Sequence, residues 1–429
     1  MDKIDQRVSD DQYVEYLPAR EAAELLGVKL PTLYAYTSRG LIRSVAGSKG
    51  RQRRYLRADL DRLCARRDAR AGHGPVAAAA LRFGEPVLDT RLTAIDPERG
   101  PIYRGHVASE LADQGVSFES TCELLWTGAL PAEGPPVSHD GSAWPDAGRP
   151  LDPVALAHWL PADTTPLERL AIALPLLAAR DPGRFETRPE SVLPRARSLL
   201  RQMAVALVPG AEPSRIESVL AAPDMAAAVG CALGGLVSDD ATSALDRTLV
   251  LCADHELNAS AFAARVAAST GADLYACVTA ALAALSGPRH GGAADRIEAL
   301  IEEIGTPERA EQVIHERARR GENTEGFGNP IYPTGDPRGV ALLGWAEELA
   351  PESARVRCCR ELVTAMMRNG VGPTIDLGLV ALASALELPR GAALGIYSIA
   401  RCGGWVAHTL EQYEAGYLLR PRARYTERA

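Results

Sequence analysis

Four stretches of this chain set an ionisable or amide side chain beside a predicted helix break. ADHELNAS (253–260) carries His255 and Asn258 at the end of one helical pattern, and LSGPRHGGAAD (285–295) holds His290 on a glycine-proline turn that opens another. VGPTIDLGL (371–379) puts Asp376 at a helix start, while IARCGGWVAHTLEQ and LLRPRARY supply Arg401, His408 and Arg420. A fifth stretch, GFGNPIYPTGDPRG (326–339), alternates glycine and proline so densely that it reads as a loop, because both residues disfavour helix interiors and central strands. It presents Asn329, Asp336 and Arg338. Imidazoles and carboxylates can move a proton, and guanidinium groups can hold an anion. A single histidine at such a break is more often structural than catalytic. Here two of only eight histidines stand at breaks, in company with an aspartate and arginines, and the set is the signal.

Helices must position these groups. From about residue 165 to 420 alanine and leucine recur at helical spacing, as in PLERLAIALPLLAAR, DRIEALIEEI and VRCCRELVTAMM. Thr306 before Pro307 reads as a helix start, with a capping hydroxyl ahead of a proline in the first turn. Period-two runs of valine and isoleucine are scarce, so the expected class is all-α. Residues 131–163 are proline-rich and read as a long surface loop. Asn258 also has a plain reading as a hydrogen bonder at a helix terminus.

The N-terminal segment differs. YLPAREAAELLGV predicts a helix over Ala19–Leu26 closed by Gly27, and KLPTLYAYTSRGLI a second from about Pro31 to Ser38 before Gly40. A glycine-containing hairpin and a third helix follow, rich in cations such as Arg51, Arg53 and Arg54. Residues 13–70 thus resemble the winged helix-turn-helix of MerR-type and excisionase-type regulators. That resemblance implies DNA contact, with Thr32, Tyr34 and Tyr36 facing a groove and the basic wing meeting phosphates. The alternative is a protein-binding appendage whose arginines form a solvated face. A linker is expected over 71–82.

The bulk numbers set bounds. With 46% hydrophobic and 24% charged residues and a net charge of −8, the chain has the composition of a globular protein and not of a predominantly nucleic-acid-binding one. Its eight cysteines are scattered without a C-x-x-C pair, which argues against a zinc site or disulfide framework and for reduced thiols, hence a cytoplasmic location. No metal and no membrane segment are expected. G-x-S-x-G, H-E-x-x-H and phosphate-loop motifs are absent, and GFGNPI lacks the third glycine of a dinucleotide fingerprint.

The ordered set of stretches, together with GPIYRGH, LLWTGALP and RPRARY, resembles the citrate synthase family over about residues 83–429. The resemblance implies an all-α fold with a large and a small helical domain, the small one spanning about 290–400. It implies condensation of acetyl-CoA, or another short acyl-CoA, with oxaloacetate, and no cofactor beyond the acyl-CoA co-substrate. Asp376 then matches the base that removes the methyl proton, and His290 the neutral donor to the enolate. His255, Arg338, Arg401 and Arg420 match oxaloacetate ligands, Arg420 reaching across a homodimer. Gly326 and Gly328 match backbone that touches CoA. Asn329 stands where the family has a histidine, so an uncharged amide would face the ketone oxygen. Two alternatives stay open: an acyl-CoA- or dicarboxylate-sensing transcription regulator, and a 2-methylcitrate synthase using propionyl-CoA.

Overall fold

The computed structural model describes residues 16–46, 53–57, 59, 60, 63, 88–132, 134, 144, 163–234, 238–421, 423 and 425. Arg51, the expected linker 71–82 and most of the proline-rich stretch 131–163 lie outside the described residues. Two compact units divide the chain: one runs to Asp89 with the added stretch His315–Asn323, and the other takes Thr90–Ile314 and Thr324–Ala429.

In the first unit the order is β1 (Tyr16–Pro18), α1 (Ala19–Leu26), α2 (Leu30–Ser38), β2 (Ser44–Ala46) and β3 (Arg53–Leu56). Gly27 closes α1 at φ 61°, a left-handed conformation that glycine adopts without strain, and its N–H donates to the Ala23 and Glu24 carbonyls. Pro31 sits in the first turn of α2, where its missing N–H costs nothing. The strands form an antiparallel sheet in the order β1-β3-β2, with Tyr16 opposite Leu56 and Ser44 opposite Tyr55. Leu17, Ala22, Leu26, Leu33, Ile42 and Tyr55 make the core of this unit. The Arg43 backbone N–H and guanidinium bind the Asp59 carboxylate at 2.8–3.1 Å, fastening the chain that enters β2 to the helical residues 59 and 60.

The second unit is helical, with one small exception. Strands β4 (Thr93–Asp96), β5 (Gly100–Tyr103) and β6 (His106–Val107) form an antiparallel ribbon in that order. Four residues of TAID and GPIY are too short a run for alternation to show. Gly100 and Gly105, at φ +84° and +91°, supply the turns. Helix starts follow the side chains that favour them. Thr165 and Glu168 form a reciprocal capping box, and Asp224, Ser238, Asn258, Asp273 and Ser353 each accept a backbone N–H at a helix start.

Thr306 departs from expectation. Pro307–Arg309 forms a 3-10 turn leading into the helix Ala310–Arg320, and the Thr306 side chain does not cap it. The Glu308 carboxyl beside it is held below the usual carboxylate value, first by its own backbone N–H and then by the Thr306 hydroxyl.

The helix Ala392–Ala415 is buried along most of its 24 residues. Small residues permit this. A methyl group at Gly403 would strike Cys122 Sγ, and one at Gly404 would strike the Asp254 carboxylate and the Ala253 carbonyl. No helix among the described residues is long and apolar enough to cross a membrane.

Candidate active site

The glycine-proline loop ends earlier than its composition suggests. Asp336 is an N-cap and Pro337–Leu349 is a helix, so Arg338 and Gly339 lie in its first turn. Proline is favoured there, and Gly339 is required: a methyl group on it would fall on the Thr374 carbonyl. The loop is stitched to the chain that launches the helix Ile375–Ala385. Gly328 N–H donates to Gly372 O at 3.1 Å, Asp336 N–H to Pro373 O at 2.8 Å, and Thr374 N–H to Gly326 O at 2.8 Å. Two helix starts, one bearing Arg338 and the other Asp376, are thereby held side by side.

Both arginines in this region have unused nitrogens. Asp336 takes the Arg338 Nε at 3.0 Å and Nη2 at 2.7 Å, which leaves the buried Nη1 without a partner among the described residues. Arg401, on the helix Ala392–Ala415, is fully buried, and none of its three side-chain nitrogens has a hydrogen-bond partner among the described residues. Its guanidinium lies 4.8 Å from the Tyr397 ring centre. An uncompensated buried charge costs several kcal/mol, which a ring face offsets by about 2 kcal/mol. The ionised Asp254 carboxylate, whose pKa Arg401 helps to lower, offsets a further part without hydrogen-bonding any Arg401 nitrogen.

Two half-buried histidines stand beside this charge. His255 Nε2 is 2.8 Å from the Tyr332 hydroxyl. Burial, then Arg338, Arg401 and His290, hold the His255 pKa well below the usual imidazole value. His290 Nε2 is 3.0 Å from Ser260 Oγ, and burial followed by Arg401 lowers its pKa to about 4. Both are therefore neutral at pH 7. Ser260 Oγ also donates to Asn258 Oδ1 at 2.8 Å and accepts Trp405 Nε1–H at 3.1 Å, and only a rotation of the hydroxyl turns its proton toward His290. Its one proton can go to Asn258 or to His290 Nε2. In the second case the imidazole keeps its proton on Nδ1, free to donate to a ligand.

Asp376 adds a half-buried carboxyl group to these side chains. Burial, and then the charge of Asp336, push its pKa up to about 6, and the Thr374 hydroxyl donates to Oδ2 at 3.3 Å. The fields of these groups overlap: His255 feels Arg338, Arg401 and His290, and Tyr397 feels Arg401, Arg338 and Asp376. Five expected residues, His255, His290, Arg338, Asp376 and Arg401, thus belong to one electrostatic neighbourhood.

The remaining expected residues divide. Asn329 is half-buried, and its Oδ1 accepts Ile331 N–H at 2.9 Å, which leaves the amide N–H groups as its free function. The same turn carries Tyr332 toward His255. Gly326 and Gly328 have φ +89° and +76°, and a methyl group on Gly326 would crowd Ile297 and Leu377, so both glycines also have a purely structural reason. Arg420 is exposed on the tail after Ala415 and joins none of these interactions. Asn258 caps the helix Ala259–Ser269 and braces Ser260, so its plain reading holds. Sequence reading missed Ser260, Tyr332, Trp405 and Asp254, all of which lie in the stretches quoted above but are singled out only by their burial and partners.

In the first unit the expectation that Thr32, Tyr34 and Tyr36 share one groove is corrected. Successive residues on a helix turn by about 100°, so Tyr34 points away from the other two. Tyr34 is half exposed, whereas Tyr36 packs against the core of the unit. Arg53 and Arg54 are exposed.

Comparisons with known proteins agree with this division. Residues 82–422 match the family model described as citrate synthase, C-terminal domain, and residues 16–68 match a helix-turn-helix domain. Citrate synthase of Haloferax volcanii is 31% identical over 80% of this chain and 94% of its own length. 2-Methylcitrate synthase 2 of Corynebacterium glutamicum is 29% identical over 78% of this chain and 91% of its own. Among solved structures, citrate synthase of Thermoplasma acidophilum in ternary complex with carboxymethyl coenzyme A and oxaloacetate superposes with TM-score 0.67 at 26% identity. It covers 82% of this chain and 96% of that one.

Proposed function

This chain belongs to the citrate synthase family, and we propose that its second unit condenses acetyl-CoA, or another short acyl-CoA, with oxaloacetate to give citrate and CoA. The observation that carries the reading is the pair of buried guanidinium groups with unused nitrogens beside two neutral imidazoles and a base. Oxaloacetate is a dianion. Arg401 and Arg338 Nη1 take its carboxylates, since a planar fork matches a carboxylate better than an ammonium does. His255 holds the same substrate.

Asp376 is a stronger base than an ordinary carboxylate yet is mostly ionised at pH 7, which suits removal of a weakly acidic methyl proton. His290 donates to the thioester oxygen as negative charge develops there, braced by Ser260. The enolate carbon then attacks the ketone, and the Asn329 amide donates to the alkoxide. That donor is uncharged and keeps its protons, so the alkoxide takes its proton from the entering water, whose hydroxide goes to the thioester carbonyl. Water hydrolyses the thioester, releasing CoA. Gly326 and Gly328 bring backbone to the CoA, and Arg420 of one copy completes the site of a second. The scheme needs no metal, because every role falls to a side chain.

Purified protein supplied with oxaloacetate and acetyl- or propionyl-CoA is expected to release free thiol, and Asp376→Ala to lower that rate by about 10²–10⁴-fold. No release above background from either thioester would reject the reading. The ratio of the two rates separates a citrate from a 2-methylcitrate synthase.

A second reading attaches to the first unit, favoured by its helix-turn-helix match and its exposed Arg53 and Arg54. It binds duplex DNA, so that the chain senses an acyl-CoA or dicarboxylate and regulates transcription. Arg53→Ala and Arg54→Ala should each reduce the slope of log affinity against log salt by about one. Failure of the whole protein to retard any duplex at low salt would exclude it.

A further inference from the structure

Asp254 and His408 take no part in the scheme above, yet both are completely buried. His408 Nε2 and Asp254 Oδ1 pack 3.3 Å apart in a close polar contact without hydrogen-bond geometry, and neither these two atoms nor His408 Nδ1 has a hydrogen-bond partner among the described residues. Burial works to raise the Asp254 pKa, and His408 and Arg401 outweigh it, so the carboxylate is held ionised.

The place of this pair is informative. Arg401, Gly404 and His408 fall at i, i+3 and i+7 of the helix Ala392–Ala415, hence on one face. Asp254 is seated over Gly404, where any larger residue would strike its carboxylate, and Gly404 N–H donates to Ala253 O at 2.9 Å. The other carboxylate oxygen, Oδ2, accepts Glu256 N–H at 3.1 Å. Glu256 has φ 54°, a left-handed conformation that a non-glycine residue holds only when its surroundings enforce it. The Tyr103 hydroxyl lies 3.0–3.2 Å from the carbonyl oxygens of Val250, Leu251 and Asp254, which share its one proton, and accepts the Asp254 N–H at 3.3 Å. The residue clasped between Asp254 and Glu256 is His255.

We infer that Asp254 and His408 form a buried clamp that fixes the His255 turn against the Arg401 helix and so sets the spacing of two oxaloacetate-binding groups without touching substrate. The clamp rests on the assignment of His255 and Arg401 to oxaloacetate made above. Asp254 and His408 are positioning residues, and the clamp acts on oxaloacetate alone, not on CoA.

The test uses Asp254→Asn, His408→Gln and the double variant of the full chain. Oxaloacetate and CoA binding are measured by calorimetry, and the His255 ring is followed by NMR of 15N-histidine-labelled protein, its signal assigned by loss in His255→Asn. The clamp predicts oxaloacetate affinity about tenfold or more weaker in each single variant, because small misplacements of binding groups are costly. CoA affinity stays within twofold, the His255 signal moves, and the double variant is no worse than the worse single one. Unchanged oxaloacetate affinity with an unmoved signal, equal losses for both ligands, or losses that multiply in the double variant would overturn it. If Asp254→Asn does not fold, His408→Gln decides by the same readouts. If wild-type protein binds no oxaloacetate, the functional reading fails, and the clamp then stands or falls on whether the His255 signal moves.

Discussion

Arg265 and Arg401 are both buried arginines on alanine-rich helices, with exposures of 2% and 0%, and they have opposite surroundings. Arg265 donates to Gln412 Oε1 at 3.0 Å and to Glu411 Oε2 at 2.7 Å. Glu411 in turn accepts the Arg91 N–H and the Thr90 hydroxyl, each at 2.8 Å. That network ties the start of the unit to its last helix and has no room for a ligand. Arg401 has an aromatic face and no acceptor. A paired buried charge holds the fold together, whereas an unpaired one stores binding energy for an anion. Residue type and burial do not separate the two cases. Partnership does.

The sharpest way to break this contrast is to remove each charge. Arg401→Leu should weaken oxaloacetate binding by about 10²-fold, the worth of a pair of charge-assisted hydrogen bonds. Its melting temperature should hold or rise, because an unpaired buried charge has gone. Arg265→Leu should do the reverse, leaving Glu411 with only the neutral Thr90 and Arg91 N–H donors at a cost approaching about 3 kcal/mol, while the KM for oxaloacetate is unchanged. Kinetics and thermal melts on the two variants check this. If both lose stability equally, or if Arg265→Leu raises that KM, the distinction is wrong.

A smaller effect sharpens the contrast through pH. His290 titrates at about 4, His255 is held well below the usual imidazole value by burial and the nearby arginines, and Asn329 does not titrate. Asp376, at about 6, is then the group that governs the acid side. The pH profile of kcat/KM should rise through a single ionisation near 6 and level off above it. The same shift has a sign for stability. A carboxyl whose folded pKa is raised favours the folded state below its unfolded value, and that contribution is lost as pH rises through about 6. Asp376→Asn should therefore stabilise the protein at pH 8 by roughly 1–2 kcal/mol, less than the shift alone implies because the half-buried carboxylate is partly screened. It should change little at pH 4. Two ionisations on the acid limb, or no stability difference between the two pH values, would show that a charged imidazole persists in the cleft.

Much of this arrangement was legible beforehand, for local reasons. Gly27 and Gly40 close the two short helices where expected, and the helices Ala293–Ile304 and Ile375–Ala385 open directly after His290 and at Asp376. Breaks of this kind are written in neighbouring residues. The ribbon β4–β6 was not legible, because its strands are too short to show a period. Tyr36 was misplaced because its packing against Leu33 and its neighbours depends on the third dimension. Thr306 does precede a helical turn with proline in its first position, but its hydroxyl caps none of that turn's N–H groups.

The chain by itself determines the helical class, the two-part organisation and which side chains stand at helix breaks, since these depend on residues a few positions apart. Which arginine is paired and which is spare, and that Asp254 reaches His408 across more than 150 positions of chain, belongs to the tertiary structure. Partnership is a property of space, and burial multiplies its energetic weight, so a residue read as one charge among many becomes either a strut or a binding site only after the helices have packed.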